Sequence, residues 1–400
     1  MAVATAVPAH VPPDRVRDVD IYNLPGATED IHLAWKRLQD ENPDVFYAPR
    51  YGGYWVLARA EILSRVWPDW EGFSSAGGIA IPRIPNLPPQ IPIEVDPPDL
   101  RYFRAPINFA LSPRALQQLS ERARTLAIDL IEALQPKGQC EFVSEFSTQM
   151  PISVFLSMMD LPLSDRQWLI SRAEISTRDP DEQARVAVFQ EIFAYLEGWI
   201  AKRIAHPGTD LISQILKITV GDRPINHVEA LSECTLLLFG GLDTVAGTMA
   251  FIARYLATHD DHRRQLVRDP ALIPRAVEEL VRRHSLPTIA RQVTRDVVLD
   301  GVQIKAGDYV MLITGMHSLD ERVWDDPLKV DFHRDTRELM SFGRGQHKCP
   351  GANLARSEVR IFLEEWLKRI PDFAIASGAS APTVGGAVVG VRSLPLVWNA

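Results

Sequence analysis

Cysteine is scarce in this 400-residue chain, which has three: Cys140, Cys234 and Cys349. They lie far apart and are odd in number, so we interpret them as free thiols of a reducing compartment and not as a disulfide framework. The chain also lacks a cysteine cluster for an iron–sulfur centre and a Gly-x-Gly-x-x-Gly fingerprint for a flavin or nicotinamide. Redox chemistry on this chain therefore requires electrons from a separate protein.

A secretory leader, an uninterrupted apolar run of membrane-spanning length and an excess of positive charge are missing as well. The first residues have no basic segment followed by a long apolar one, so we expect a cytoplasmic protein. The most apolar stretch, 234–256, contains Asp243 and three glycines, which argues against a membrane span. The net charge of −8 argues against a general nucleic-acid binder but permits a local basic patch for an acidic partner.

The hydrophobic pattern predicts one mainly α-helical domain with a small β portion over residues 1–400. Short helices are predicted at 28–42 and 59–68, with a hairpin between them in "PDVFYAPRYGGYWVLA". Other segments are predicted as follows: mostly helix from 112 to 285, short strands over 292–313, and an amphipathic helix over 352–370 that ends before Pro371.

Two segments are expected to lack regular structure. Residues 1–27 are predicted to form an extended N-terminal arm. Residues 76–98 are rich in proline and are predicted to form a long loop. Long loops in compact domains usually cover a binding site, so we interpret this one as a substrate lid.

Cys349 lies among glycines directly before the last predicted helix, in "SFGRGQHKCPGANLARSE". A helix N-terminus offers free N–H groups and partial positive charge, both of which stabilise a thiolate. The glycines would let the backbone approach a flat ligand closely. No second cysteine or histidine occurs at zinc-ligand spacing, so a lone thiolate suits a metal that brings its other ligands with it, as haem iron does.

The segment "FGRGQHKCPG", 342–351, resembles the ligand loop of the cytochrome P-450 superfamily, Phe-Gly-x-Gly-x-His-x-Cys-x-Gly, at every fixed position. The resemblance implies the P-450 fold, a single haem-thiolate domain and haem b as the cofactor. It makes Cys349 the axial iron ligand and places Phe342 and Gly343 against the cofactor.

Two further motifs fit the same family in the expected order. "EELVRR" puts Glu279 and Arg282 on one helix face, and with Arg334 they resemble the buried Glu-Arg-Arg network of the family, whose role is structural. "LLLFGGLDTVAGT" resembles the long helix that crosses the distal face of the haem. The resemblance implies that Asp243 relays protons and that Thr244 donates a hydrogen bond to iron-bound oxygen, beside a local opening at paired glycines.

The chain resembles bacterial camphor hydroxylases still more closely, from "GGYW" to "LPLVW". Matching positions imply that Arg104, Arg291 and His347 bind the haem propionates, although each alone could be a surface charge. Leu100 replaces a tryptophan that meets a propionate in many relatives.

The substrate positions depart from the camphor pattern. Pro88 stands where a tyrosine hydroxyl anchors the ketone, and Lys348 replaces an apolar residue beside the iron ligand. The remaining substrate-facing positions are expected to be apolar: Leu236, Phe239, Pro287, Ala387 and Val388.

These resemblances imply a monooxygenase that hydroxylates an apolar, terpenoid-sized substrate with O₂, with electrons from a [2Fe–2S] ferredoxin and its reductase. Two alternatives remain open, a haem-thiolate peroxygenase fed by peroxide and a haem sensor or ligand carrier without turnover. Docking of an acidic ferredoxin is expected at a basic patch that comprises Arg101, Arg104, Arg344 and Lys348.

Overall fold

The computed structural model of the protein describes residues 5–82, 88–178 and 181–399. The helices in these ranges are α1 (Ile31–Asp40), α2 (Ala60–Val66), α3 (Leu100–Ala110), α4 (Pro113–Leu134), α5 (Gln149–Met159), α6 (Arg166–Arg178), α7 (Glu182–Ala205), α8 (Leu211–Ile215), α9 (His227–Leu242), α10 (Thr244–Thr258), α11 (Asp260–Arg268), α12 (Ile273–Arg283), α13 (Thr314–Ser318) and α14 (Ala352–Arg369). The strands are β1 (Val45–Ala48), β2 (Tyr54–Leu57), β3 (Phe73–Ser74), β4 (Gln139–Glu141), β5 (Thr219–Val220), β6 (Arg223–Pro224), β7 (Thr288–Val293), β8 (Val297–Leu299), β9 (Val302–Ile304), β10 (Tyr309–Ile313), β11 (Ala374–Ile375), β12 (Thr383–Val384), β13 (Gly390–Val391) and β14 (Pro395–Val397).

The largest sheet has the strand order β1-β2-β10-β7-β3. Strands β1 and β2 form the predicted hairpin, with Val45 opposite Leu57. Strand β10 runs parallel to β2 and antiparallel to β7, where Val310 pairs with Arg291. Arg291 therefore lies on an inner strand, paired with β10 on one side, and its neighbours Gln292 and Val293 pair with β3 on the other.

Helices α1 and α9 begin where side chains satisfy their free N–H groups. Asp30 caps α1 by accepting hydrogen bonds from the N–H groups of His32 and Leu33. Asn226 and Glu229 form a capping box at the start of α9. The cap on α9 fixes the N-terminal end of the pair α9–α10, which passes through the centre of the protein.

The pair α9–α10, His227–Thr258, is long and apolar enough to cross a membrane by length and composition alone. In the most apolar window of this pair, however, 61% of the residues are buried inside the protein. Helix α10 packs against α14, and α14 packs along α4. The stretch is therefore a core helix pair of the folded domain.

The predicted helices and hairpin are confirmed, with end shifts of a few residues. The proline-rich segment 76–98 has no helix or strand at residues 76–82 and 88–98, and its residues 83–87 lie outside the described ranges. The prediction omitted helix α3, because Pro106 lies inside it and proline normally interrupts a helix. Helix α3 nevertheless forms and buries Leu100, Phe103 and Ile107 on one face. The short C-terminal strands β11 to β14 were also not predicted. In the described part of the N-terminal arm, 5–27, a single 3₁₀ turn at Pro13–Arg15 interrupts irregular chain.

The predicted Glu-Arg-Arg network is confirmed. Glu279 and Arg282 are 1% and 0% exposed, and the Arg282 Nε and Nη2 atoms donate to the two Glu279 carboxylate oxygens over 2.7 and 2.8 Å. Arg334 Nε donates to Glu279 Oε1 over 3.1 Å. Arg282 also donates to the carbonyl oxygens of Ser318 and Pro327, so the network joins α12 to the chain segment before the cysteine loop.

Replacing Glu279 by alanine is expected to lower the free energy of unfolding by about 3–5 kcal/mol, because Arg282 would remain charged and buried without its carboxylate. The matched control is Glu278→Ala, which removes the neighbouring, half-exposed pair with Arg356 and should cost less than about 1 kcal/mol. Urea unfolding curves measure both values. Equal losses for the two variants would contradict a structural role of the buried network.

Candidate active site

A cavity of about 1370 Å³ lies between helices α9 and α10, the proline-rich loop and the cysteine loop. Most of its wall is apolar. Cys349 lies at one side, and Asp243 and Thr244 lie on the helix pair. The cavity therefore brings the candidate metal ligand and both candidate proton-transfer residues to one enclosed space.

The cysteine loop is fixed by backbone hydrogen bonds. The Cys349 N–H donates to the Phe342 carbonyl over 2.8 Å, and the Lys348 N–H donates to the Gly345 carbonyl over 3.1 Å. The Phe342 ring lies under the guanidinium of Arg356, 4.4 Å from its centre. These contacts hold the sulfur in place before α14 begins at Ala352.

Two glycines in this loop are required for a second reason, besides the predicted close approach of the backbone to a flat ligand. Gly343 and Gly345 have φ values of +70° and +71°, which side-chain-bearing residues rarely adopt. A Cβ atom on Gly343 would lie 2.8 Å from Trp67 Nε1, and one on Gly345 would lie 2.8 Å from Pro68 Cα. The glycines therefore permit a tight turn against the end of α2, in addition to keeping Gly343 at the cavity wall.

The Cys349 sulfur is enclosed by protein on most sides but open to the cavity. Burial raises the pKa of this thiol, and the Gly351 N–H and the charges of Arg104, Arg356 and Lys348 oppose that rise. Among the described residues, no group of three or more histidine, cysteine, aspartate or glutamate side chains could hold a metal ion. The arrangement thus suits a metal centre to which the protein gives one thiolate.

Arg104, which was predicted to bind a propionate, lies at the cavity wall, and its side chain contacts the cysteine loop. Its Nη1 and Nη2 atoms donate to the carbonyl oxygens of Gln346 and Lys348 over 3.1 and 2.6 Å. Arg104 therefore holds the loop to helix α3, and its charge lies close enough to Cys349 to favour the thiolate.

Arg291 and His347 are the other two residues that were predicted to bind the propionates. Arg291 is 2% exposed, its Nη2 atom has no hydrogen-bond partner among the described residues, and burial lowers its pKa to about 10. His347 lines the cavity, whereas Arg291 does not. Burial is the largest cause that lowers the pKa of His347, and the positive charge of Arg291 lowers it further.

Sequence reasoning missed the residues that orient His347. Its Nε2 atom lies 3.2 Å from the Ser75 hydroxyl and 3.7 Å from Asp96 Oδ1. Burial would raise the pKa of Asp96, but hydrogen bonds from His347, Ser74 and the Ser75 N–H keep it below its usual value. Asp96 opens the segment "DPPDLRYFR", one of the stretches on which the resemblance rests, so a signal for it was present.

The central helix opens where the paired glycines predicted it. Helix α9 ends at Leu242, α10 begins at Thr244, and Asp243 between them is the N-cap of α10, where its carbonyl oxygen accepts a hydrogen bond from the Gly247 N–H over 2.9 Å. The Thr244 hydroxyl donates to the Gly240 carbonyl over 2.9 Å. A Cβ atom on Gly240 would meet no atom within 4 Å, so the space beside the break is open.

Five of the six predicted substrate positions line the cavity: Leu236, Phe239, Pro287, Ala387 and Val388. Pro88 does not, and it follows directly after residues 83–87, which lie outside the described ranges. Other apolar residues of the wall are Ile79, Ile81, Ile93, Phe155, Phe189 and Ile289.

Three further polar groups at the wall were not predicted. Trp67 Nε1, Glu358 Oε1 and both ring nitrogens of His284 are buried without a hydrogen-bond partner among the described residues. Burial raises the pKa of Glu358 to about 8, so this carboxyl is largely protonated at neutral pH. Glu358 lies between Ala355 and Phe362 on the apolar face of α14. A carboxyl group at such a position of the helical pattern indicates burial, so the sequence contained a signal for this residue.

These residues fit haem b. A flat apolar ring suits the wall, the Cys349 sulfur suits the iron, and two propionates would satisfy the unpartnered Arg291 donor and His347. The fit rests on the Arg291 donor, which has no partner among the described residues, and on the place of His347 at the cavity wall.

Comparisons with known proteins agree with this geometry. A family model described as Cytochrome P450 matches residues 178–371. The chain is 34% identical over 401 residues to "Probable cytochrome P450 127A1" of Sinorhizobium fredii, covering 98% of this chain and 97% of the relative. It is 31% identical to a steroid C26-monooxygenase of Mycolicibacterium smegmatis, covering 82% and 84%.

Solved structures give the same result. Cytochrome P450 CYP101C1 superposes with a TM-score of 0.90 at 39% identity, and CYP101J2 superposes with a TM-score of 0.89 at 36% identity. Each superposition covers 99% of this chain and 100% of the other.

Replacing Arg291 by leucine is expected to accelerate haem loss by about tenfold or more, because a charge-assisted hydrogen bond contributes about 1.5–3 kcal/mol. Transfer of haem to an excess of apomyoglobin measures the rate. The matched control is Arg295→Leu, which removes an exposed arginine two residues after β7, paired with Asp69, and should leave the rate unchanged. An unchanged rate for Arg291→Leu would exclude a propionate contact.

Proposed function

We propose a substrate class and an electron donor for this protein, which belongs to the cytochrome P450 family and is a haem-thiolate monooxygenase. The substrate is an apolar molecule of terpenoid size that is hydroxylated with O₂. The donor is a [2Fe–2S] ferredoxin with its reductase.

The observation that supports this proposal most is the enclosed cavity between Cys349 and the break at Asp243–Thr244. Most of the side chains that line it are apolar. They provide shape and exclude water, and both are needed when an unactivated C–H bond is the target.

Haem, when bound, supplies the oxidation chemistry, and Cys349 ligation favours cleavage of the O–O bond. The chain's own residues position the reactants and move protons. The Thr244 hydroxyl donates to the Gly240 carbonyl in this structure, and rotation about its C–O bond turns that single proton toward the open space beside the break. Asp243, at the break itself, passes protons to that space.

The substrate class follows from the wall. Leu236, Phe239 and Phe189 form one apolar side, with the Phe189 and Phe239 rings 5.1 Å apart and edge to face. Ile79 and Ile81 of the proline-rich loop add further apolar surface to the wall. With Pro88 away from the wall, the loop provides no tyrosine hydroxyl for a ketone, so camphor itself is not expected as the substrate.

The proposed docking site for the ferredoxin is the surface outside the cysteine loop. Lys348 is exposed there, and Arg101 is exposed one turn before Arg104, which holds the same loop. Two members of the predicted patch contribute less than expected: Arg344 is paired with Glu338 over 2.9 Å, and Arg104 turns inward. Lys348 and Arg101 are therefore the charges available to an acidic partner.

We infer a cytoplasmic location as well. All three cysteines are free thiols, and Cys140 and Cys234 are buried in the core. Free thiols are typical of a reducing compartment. The similar proteins named above come from bacteria, in agreement with this inference.

Replacing Thr244 by alanine should leave substrate binding within about twofold but divert most electrons to hydrogen peroxide, because a hydrogen-bond donor is lost at the break. Asp243→Asn should instead slow turnover by about tenfold or more through lost proton delivery. The ratio of product to oxygen consumed, measured with the ferredoxin system, separates the two effects. Thr248→Ala, one turn further along α10, is the control. If all three variants couple and turn over like the wild type, the proposed roles are wrong.

Reversing Lys348 and Arg101 to glutamate should slow ferredoxin-driven reduction, with the largest difference at low ionic strength, because screening acts over about 8 Å at physiological salt. Substrate affinity should not change. Lys217→Glu, an exposed charge reversal on the segment after α8, is the control. Stopped-flow reduction rates that match the wild type at low and high salt would remove these residues from the docking site.

A further inference from the structure

The cavity has a cationic side chain at its wall that no acidic group among the described residues neutralises. Arg185 lies in the first turn of α7 and lines the cavity. Its Nε atom is buried and has no hydrogen-bond partner, and no carboxylate lies within 4 Å of its guanidinium among the described residues. Most other arginines that are largely buried here donate to a carboxylate or a carbonyl oxygen, as Arg203 does to Asp210 and to the Asp160 carbonyl.

The neighbours of Arg185 do not compensate its charge. Tyr22 and Tyr51 also line the cavity and are near enough to feel the charge of Arg185. Both hydroxyls donate elsewhere: Tyr22 to the Ile81 carbonyl and Tyr51 to Asp20 Oδ1 over 2.8 Å. Asp20 is the acid of this region, and it is already used by Tyr51, by Asn23 and by the Tyr22 N–H.

A second arginine adds positive charge to the cavity wall. Arg392 lines the cavity just after β13, and its side chain makes no ion pair with a described residue. The hairpin β12–β13 touches the Tyr22 region, because a Cβ atom on Gly385 would lie 2.6 Å from the Tyr22 carbonyl oxygen. The carboxyl groups that line the cavity are Asp243, at the helix break, and Glu358, on α14.

A partly buried guanidinium without a counter-ion is costly, and its planar set of donors matches a carboxylate better than any other common organic group. The apolar wall and this charge together define a ligand with two parts. We propose that the substrate is an apolar acid of terpenoid size, whose carboxylate binds Arg185 while its hydrocarbon part extends toward the haem. This inference rests on the proposed function and adds a charged group to the substrate class.

The test uses the holoenzyme and two matched probes, 4-isopropylcyclohexanecarboxylate and its methyl ester, at pH 7.5, where a carboxyl with its usual pKa of about 4 is ionised. Isothermal titration calorimetry measures the affinity of each probe, and the Soret band reports displacement of the iron-bound water. The variants are Arg185→Met, Arg185→Lys and the control Arg268→Met, which removes an exposed arginine outside the cavity wall.

We expect the wild type to bind the acid more tightly than the ester. Arg185→Met should weaken acid binding by about tenfold or more and leave ester binding within about twofold, as expected for one lost charge-assisted contact. Arg185→Lys should recover part of the loss, which separates lost charge from misfolding. Raised salt should weaken binding of the acid alone.

The outcomes distinguish this inference from the function on which it rests. If the ester moves the Soret band and the acid binds no tighter, or if Arg185→Met behaves like Arg268→Met, the carboxylate site is refuted and the apolar substrate class stands. If the acid binds through Arg185 but neither probe moves the Soret band, the carboxylate site stands and the proposed substrate orientation fails. Absence of binding by both probes would overturn the inference.

Discussion

The Cys349 sulfur must act as a thiolate in surroundings whose burial opposes ionisation. Burial raises its pKa, and the Gly351 N–H and the charges of Arg104, Arg356 and Lys348 supply only partial compensation. Iron supplies the rest when haem binds, because a metal ion deprotonates a coordinating thiol. The remaining structure of the site follows from the need to hold this sulfur still at the edge of an apolar cavity.

Contacts from several parts of the chain meet that need. Helix α3 holds the loop through Arg104, the end of α2 packs against its glycines, and the buried network of Glu279, Arg282 and Arg334 secures the chain just before it. The distal side of the cavity, formed by α9–α10, contains an opening instead. There the pair α9–α10 is interrupted at Asp243, beside open space at Gly240 and the Thr244 hydroxyl, which donates to the Gly240 carbonyl. Rigid support on one side and a local opening on the other are what ligation and oxygen chemistry require.

The sequence was sufficient where a short motif contains the chemistry. Three features are of this kind, since each lies within a few residues or matches a family pattern: the loop around Cys349, the Asp243–Thr244 pair and the Glu279 network.

The sequence was insufficient where function depends on contacts between segments that are distant in the chain. Ser75 and Asp96 reach His347 across about 250 residues, and the pairing of Arg344 with Glu338 depends on a loop conformation. Pro106 concealed helix α3, because packing of its apolar face outweighs a local preference. The unpartnered state of Arg185 could be found only from three-dimensional contacts.

The central claim of this account is that Cys349 is the thiolate ligand of the haem iron. The most direct measurement is the absorption spectrum of the reduced holoenzyme with carbon monoxide bound, for the wild type and for Cys349→Ala. The account predicts a Soret band shifted far to the red in the wild type, as thiolate ligation requires, and loss of that band in the variant. A wild-type band like that of a histidine-ligated globin, or a red-shifted band that persists in Cys349→Ala, would contradict it.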